Sequence, residues 1–476
     1  MHKRRLAVVT LSAMSMALLA GCSLEPRYQR PVPPVAAGYD NKLPADAGGR
    51  PAPEIGWQEF FTDPRLKALV ELALVNNRDL RVSALRIEEA RGQYRIQRAD
   101  QLPSVSASAS ATRSRTAPAT YGDDIPDGLI STDPQTLYNV SVGVTSFELD
   151  FWGRVRSLTD AARAQYLSTV EGERAFRISL IADVASAYLT MQSLDERIRL
   201  ANSTLESRQK GVELARLRLN AGVTSALDFR QTQTLLTQAE TELASLKRQA
   251  AQTRHALEVL VGGPLPANLP PPLPLADQRL DHALGVGLPS DLLLNRPDVL
   301  GAEQSLIGAN ANIGAARAAF FPSISLTGSF GYASTDLDNL VGKDGKSWSF
   351  GPSISLPIFD FGRNKANLDV AKAQRDIAVA TYEKTVQTAF QEVADALAGR
   401  RYLAEQVAAQ GRALTAQRDL AELADLRYRN GVADYLEVLD AQRNLFSAEQ
   451  TLVETRREQQ ANLVTLYVAL GGGVIR

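Results

Sequence analysis

The sequence predicts a mainly-α membrane protein built as a tandem repeat of helix, β-hairpin, long helix, turn and helix, with four strands per chain. Three observations carry that prediction. Leu423–Arg443 has a near-twin in Leu214–Thr234: Leu214, Ala215, Leu217, Arg218, Gly222, Val223 and Leu227 each recur as the same residue 209 positions later. A proline-free helical run of about 65 residues leads into the glycine turn of each twin. Four further runs of about ten residues alternate apolar with small polar side chains, the period of a strand.

The N-terminus sets the compartment. Lys3, Arg4 and Arg5 precede the apolar run Leu6–Ala20, so residues 1–21 read as a bacterial secretory signal. The signal ends Leu-Ala-Gly before Cys22, the only cysteine in the chain, which has the form of a lipobox with Cys22 as the lipidated first residue. The alternative is a free thiol near the terminus; a disulfide within one chain is impossible. Removing Lys3, Arg4 and Arg5 leaves 49 basic and 53 acidic residues, a net charge of −4 that offers no nucleic-acid footprint. No apolar run long enough for a transmembrane helix follows the signal.

Residues 22–62 begin with a stretch rich in Pro, Ala and Gly, expected as an extended surface arm. The first repeat spans 63–263. Its helix starts at Asp63-Pro64, proline being well tolerated at a first helical position, and runs to about Asp100. Strands follow at about 104–113 and 137–148, around a loop rich in Pro, Gly, Asp and Thr. The long helix Val155–Leu219, the turn at Gly222 and a helix to Leu260 complete the repeat. Residues 264–288 are a Pro-rich linker. The second repeat, 289–472, has strands at about 323–332 and 347–356, the long helix Asn364–Tyr428, the turn at Gly431 and a helix to Leu470; residues 473–476 form a tail. Ser225 with Asp228, and Asp434 with Glu437, have the spacing of a capping box after each turn.

The long helices would each span roughly 98 Å. The helices after the turns, at roughly 56 Å, need the short helices before the strands to match that length. The economical arrangement is a rod with strands at one end and the glycine turns at the other. A coiled-coil rod, or a soluble four-stranded cap on one, would share these helices. The strands argue otherwise. A tilted strand of about ten residues spans a bilayer, four strands cannot close a sheet, and bacterial barrels start at eight, so at least two chains must contribute to one barrel.

The duplicated architecture, the lipobox and the two turns resemble the bacterial outer-membrane factor family, in its TolC-related, OprM-like efflux lipoprotein branch. Leu288–Glu303 is similar to that branch's signature between the repeats, departing at Asn295 where a second arginine is usual. Trp57–Phe61 with Asp63-Pro64 is similar to its N-terminal signature. Ser23 stands where an aspartate would retain a lipoprotein in the inner membrane, favouring outer-membrane sorting. The resemblance implies a homotrimer whose twelve strands form one outer-membrane β-barrel, continued by a periplasmic α-helical barrel. The arm, the 264–288 linker and the C-terminal end would form an equatorial belt. It also implies a passive duct for small molecules delivered by an inner-membrane RND-type pump and a periplasmic adaptor, with outer-membrane lipids around the strands. No cofactor, metal or enzyme chemistry is expected, and no Gly-rich phosphate loop, metal spacing or nucleophile elbow appears. The rivals are a protein-secretion duct of type I, a structural coiled-coil envelope lipoprotein and an envelope enzyme.

By the same resemblance, the duct closes at the end bearing the turns. Leu436, Asp440 and Arg443 share one helix face and match the family's constriction. Tyr428 and Arg429 match positions that hold neighbouring helices together. Tyr428 would hydrogen-bond, and Arg429 would pair with an acid, for which Asp228, Asp195 and Asp425 are the candidates. Asp440 and Arg443 correspond to Gln231 and Thr234, so only the second repeat carries the charges. Gly222, Val223, Gly431 and Val432 are the candidate adaptor contacts.

Overall fold

The computed structural model describes residues 23–40, 49–115, 133–278, 280, 284–285 and 291–473. The signal, Cys22, most of the first strand loop, Leu288–Ser290 and residues 474–476 lie outside them. The first repeat comprises α1 (Pro64–Asn76), α2 (Arg78–Ala99), β1 (Val105–Ser114), β2 (Gln135–Glu148), α3 (Arg154–Asn220) and α4 (Ala226–Val261). The second comprises α5 (Pro297–Ala318), β3 (Ser323–Ser334), β4 (Lys346–Ser355), α6 (Arg363–Arg429) and α7 (Tyr435–Ala469), preceded by the single turn Leu292–Asn295. Both long helices have 67 residues. No helix among the described residues is long and apolar enough to cross a membrane, which leaves a β-barrel untouched.

One compact unit holds the described parts of residues 1–31, 88–168 and 303–381; the other holds those of 32–87, 169–302 and 382–476. The first contains an antiparallel sheet in the order β1-β2-β3-β4. The two hairpins join through β2 and β3, leaving one edge of β1 and one of β4 unpaired among the described residues. Cross-strand partners in antiparallel pairs point to the same face. On one face Val105, Ala107 and Ala109 oppose Val144, Val142 and Val140; Val142 opposes Phe330, and Phe330 opposes Trp348. The other face is a ladder of small polar groups, with hydroxyl pairs Ser108–Ser141 at 3.0 Å, Ser325–Ser353 at 2.7 Å and Ser329–Ser349 at 2.8 Å. The apolar face is bare in the single chain: Trp348 is 76% exposed and Phe350 65%. A bulge lies between Val144 and Phe147, where β2 uses one residue more than β3.

In this same unit the N-terminal arm is strapped along α5. Arg317 donates to the Leu24 carbonyl (3.0 Å), Asn310 donates to the Pro26 carbonyl (2.7 Å), and Arg30 meets the buried Glu303 with two bonds of 2.7 Å. The arm therefore runs antiparallel to α5, its earliest described residues beside the helix end that leads into β3. α5 packs closely on α3, where an added Cβ at Gly308 would lie 3.3 Å from the Ala161 carbonyl.

In the second unit the short helices end where the returning helices end. The expected continuous first helix is interrupted at Asn77, whose backbone is extended. Its side chain accepts from Leu80 N (2.8 Å), starting α2, and donates to the Leu260 carbonyl (2.9 Å) at the end of α4. The twin junction uses Arg296, which donates to the Ala469 carbonyl (3.2 Å) and pairs with Asp298 and Glu392. Each junction satisfies carbonyls that a helix end leaves free. Gly262 and Gly471 have φ of +84° and +83°, and an added Cβ at Gly262 would collide with the Asn76 backbone. Asn295, the residue that departs from the signature, ends the turn before α5, and its backbone faces Gly471.

Asp63 is the hub beneath these junctions. Fully buried, it caps α1 through Arg65 N (2.8 Å) and accepts from Tyr188 Oη (2.6 Å), Gln278 Nε2 (2.7 Å) and Leu273 N (3.3 Å). It thus ties α1, α3 and the linker together. Burial, then the bond to Asp63, pushes the Tyr188 phenol pKa well up, so it stays a donor at neutral pH. Nearby, Tyr467 donates to the Ile55 carbonyl (2.5 Å) and stacks on Phe60 at 4.0 Å, tying α7 to the arm. Asp63→Ala leaves several buried donors without an acceptor. We expect a loss of about 3 kcal/mol or more in denaturant unfolding of the helical signal in detergent, and a smaller loss for Asp63→Asn, which keeps the capping oxygen.

Candidate functional site at the helical turns

The two turns have the same backbone. In the first, Val223 N donates to the Arg218 carbonyl (3.0 Å) and Gly222 sits at φ +73°; in the second, Val432 N donates to the Arg427 carbonyl (2.9 Å) and Gly431 sits at φ +72°. A six-residue loop closing onto a left-handed glycine is a Schellman ending, which satisfies carbonyls of the last helical turn. The space around both glycines is open, so only the backbone conformation selects them. Val223 and Val432 project outward, 63% and 68% exposed.

The helices that follow start differently. Ser225 and Asp228 form the complete capping box, and the bonds from Ser225 and then Thr224 hold the Asp228 carboxyl below the usual range. The expected second box does not form. Asp434 occupies the cap position with no side-chain bond, and Glu437 instead reaches Arg427 on α6 at 3.4 Å. Two carboxylates at cap and third position repel, and the guanidinium across the turn offers Glu437 a better partner.

Leu436, Asp440 and Arg443 lie along one stretch of α7. Leu436 is 48% exposed, and Asp440 pairs with Arg443 at 3.0 Å with both side chains at least half exposed. Such a pair contributes a few tenths of a kcal/mol. Tyr428 is placed by its ring, 4.9 Å from Tyr435 and with the Arg218 guanidinium 5.1 Å above it. Arg429 pairs with Asp425 at 2.8 Å, one turn back on its own helix. Of the other two candidate acids, Asp228 is engaged in its capping box, while burial raises the Asp195 carboxyl pKa.

Sequence reasoning passed over Arg208 and Tyr435, and marked Arg218 only as a repeated residue. Arg208 is buried on α3 and donates to Gln442 Oε1 on α7 (2.9 Å). Tyr435 fits because position 211 is glycine: an added Cβ would lie 3.0 Å from its hydroxyl. The comparison of repeats holds the available signal, since Arg208 corresponds to Gln417 and Tyr435 to Ala226. Among the described residues no cluster of His, Cys, Asp and Glu could hold a metal.

A chain with ten- to fourteen-residue strands carrying one apolar and one hydroxyl-lined face, and paired long helices closed by tight turns, is a subunit of an outer-membrane channel. A family model described as "Outer membrane efflux protein" matches residues 69–263 and 288–472. The antibiotic efflux pump outer membrane protein ArpC of Pseudomonas putida is 46% identical over 473 residues, covering 98% of this chain and 96% of the relative. The toluene efflux pump outer membrane protein TtgC, also of P. putida, matches to the same extent. The open state of the Neisseria gonorrhoeae MtrE outer membrane channel superposes with a TM-score of 0.85 at 39% identity, covering 96% of this chain and 99% of that one. The chain belongs to the outer membrane efflux protein family, and it is the outer-membrane channel component of an efflux system.

Gly222→Ala and Gly431→Ala should each cost about 1 kcal/mol, from the left-handed backbone alone. The check is hydrogen exchange of the amides that close each turn, expected to speed up roughly fivefold, with Asn tolerated better than Ala.

Proposed function

We propose that this chain forms a homotrimeric passive duct, lipid-anchored at Cys22, exporting small toxic compounds that an inner-membrane RND-type pump and a periplasmic adaptor deliver. The carrying observation is the unfinished quasi-symmetry of the fold. Within one chain β2 pairs with β3, with Val144 opposite Gly328 and Phe147 opposite Leu326. Val144 corresponds to Ile354, since Val105 opposes the one and Ile324, its repeat equivalent, opposes the other. Carrying the same contact to the free edges sets Ile354 of one copy opposite Ala109 of the next, and Leu356 opposite Ala107. The helices repeat the logic. α5 packs on α3, while the corresponding faces of α2 and α6 carry bare side chains such as Ile96 (72% exposed) and Ile377 (65%). Unpaired strand edges have no place in lipid, so the apolar face requires closure. Three copies give twelve strands. The names of the relatives, an antibiotic and a toluene efflux protein, support small apolar molecules as cargo over a secreted protein.

The strapped arm supports the anchor. Leu24 is tied to Arg317, six positions before β3 begins, which sets the chain just after Cys22 beside the root of the membrane strands. A duct needs no group that reacts with its cargo, and the site is read as a gate rather than as a catalyst. In the trimer Leu436 and Asp440 narrow the mouth. Three Asp440 carboxylates brought towards one axis repel and favour cations, with Arg443 beside each as a partial counter-charge. Gly222, Val223, Gly431 and Val432 form the adaptor-facing tips, where two exposed valines offer apolar contact for helical hairpins.

Two measurements test this reading. Asp440→Ala combined with Tyr428→Phe should raise single-channel conductance in planar bilayers, and an unchanged value removes the gate assignment. Cysteines at Ala109 and Ile354 should yield covalently linked trimers on oxidation, while either alone does not. A trimer that forms without linkage rejects the register, and a monomer rejects the assembly.

A further inference from the structure

A cleft of about 340 Å³ opens between α3, α4 and α7 in the second unit. Its apolar walls are Leu235, Ala239 and Phe446, and Thr204 and Ser447 contribute hydroxyls. Two guanidiniums, Arg208 and Arg443, line it as well. Arg208 is the anomaly. It is 5% exposed, yet its hydrogen bond is to the neutral amide oxygen of Gln442, and no carboxylate pairs with it among the described residues. The nearby acid on the cleft wall, Glu242, faces Arg197 at 3.7 Å, and Arg197 also draws Glu454 at 3.8 Å. Burial, with Arg443 as a like charge nearby, depresses the Arg208 pKa, although an arginine stays charged. A buried charge is ordinarily paired, because desolvation without a counter-ion is costly.

We infer that this cleft is a binding site for a small organic monoanion, an arene or short aliphatic carboxylate, whose charge meets Arg208 and whose hydrocarbon body lies against Leu235 and Phe446. The guanidinium offers a planar fork matched to a carboxylate. Arg443 adds a second donor, since its exposed pair with Asp440 is weak. The apolar walls favour a carboxylate with a hydrocarbon body over inorganic phosphate, which has nothing to place there. Glu242 on the wall disfavours a dianion. The repeat equivalent of Arg208 is Gln417, so the duplicated position carries no charge to build a second such site.

Benzoate is the probe, titrated into the purified full-length protein in detergent by calorimetry and saturation-transfer NMR, with neutral benzamide and inorganic phosphate as controls. Saturable benzoate binding, little binding of either control, and a loss of about tenfold or more in Arg208→Gln are expected. Arg208→Lys should keep part of the affinity. Ser447→Glu tests the site with Arg208 in place: position 447 is exposed, and the new carboxylate should supply the missing counter-ion and expel benzoate. Absence of binding overturns the inference, as does benzoate binding that is unchanged in Arg208→Gln or Ser447→Glu, or matched by benzamide. Should Arg208→Gln fail to fold, the Ser447→Glu result decides.

Discussion

In a bilayer every backbone N–H and C=O must find its partner in protein, and this constraint governs the whole molecule. Four strands paired in the order β1-β2-β3-β4 pair their interior edges and leave two outer rows without a strand partner among the described residues. Nothing among the described residues folds back to cover them. The side chains agree with the backbone: the face bearing Val142, Phe330 and Trp348 suits hydrocarbon, and the face bearing Ser108, Ser329 and Ser353 suits water. Incompleteness here is a specification for neighbours rather than a defect of folding.

Duplication supplies the scaffold, and divergence between the copies supplies the particular properties. Both glycine turns close with the same bonds, because the backbone problem they solve is the same. The junctions at Asn77 and Arg296 occupy equivalent positions and satisfy equivalent carbonyls, but with different chemistry. The amide at Asn77 bonds to backbone groups only, whereas the guanidinium at Arg296 also gathers Asp298 and Glu392. At the turns the charges are likewise unequal. Arg208, Tyr435, Asp440 and Arg443 all lack counterparts, so the turn region repeats its backbone but not these side chains.

Periodicity made most of the fold legible in advance. The strands stood out because serines and apolar residues alternate, and the long helices because proline is absent. The interruption at Asn77 was harder to see, since asparagine there caps one helix and closes another through a contact 183 residues away. Its only local hint is that the twin position is followed by Pro297. The second capping box failed for a reason beyond spacing: Glu437 has a better partner across the turn. At the site, Asp440 and Arg443 could be placed on one face from their spacing. Arg208 could not be singled out, because an arginine on a long helix is normally solvated, and burial is a property of the packed bundle.

The equal lengths of α3 and α6 constrain how the two repeats can change. Each helix has 67 residues, while the loops within the two hairpins differ in length. Inserting a single residue into either helix would advance everything beyond it by about 1.5 Å and turn it by about 100°. Gly222, or Gly431, would then aim elsewhere, and one copy of the repeat would fall out of step with the other. Lengthening is therefore free to accumulate only outside these helices. The two repeats can exchange one side chain for another almost anywhere, but they share a single ruler, and neither can change it alone.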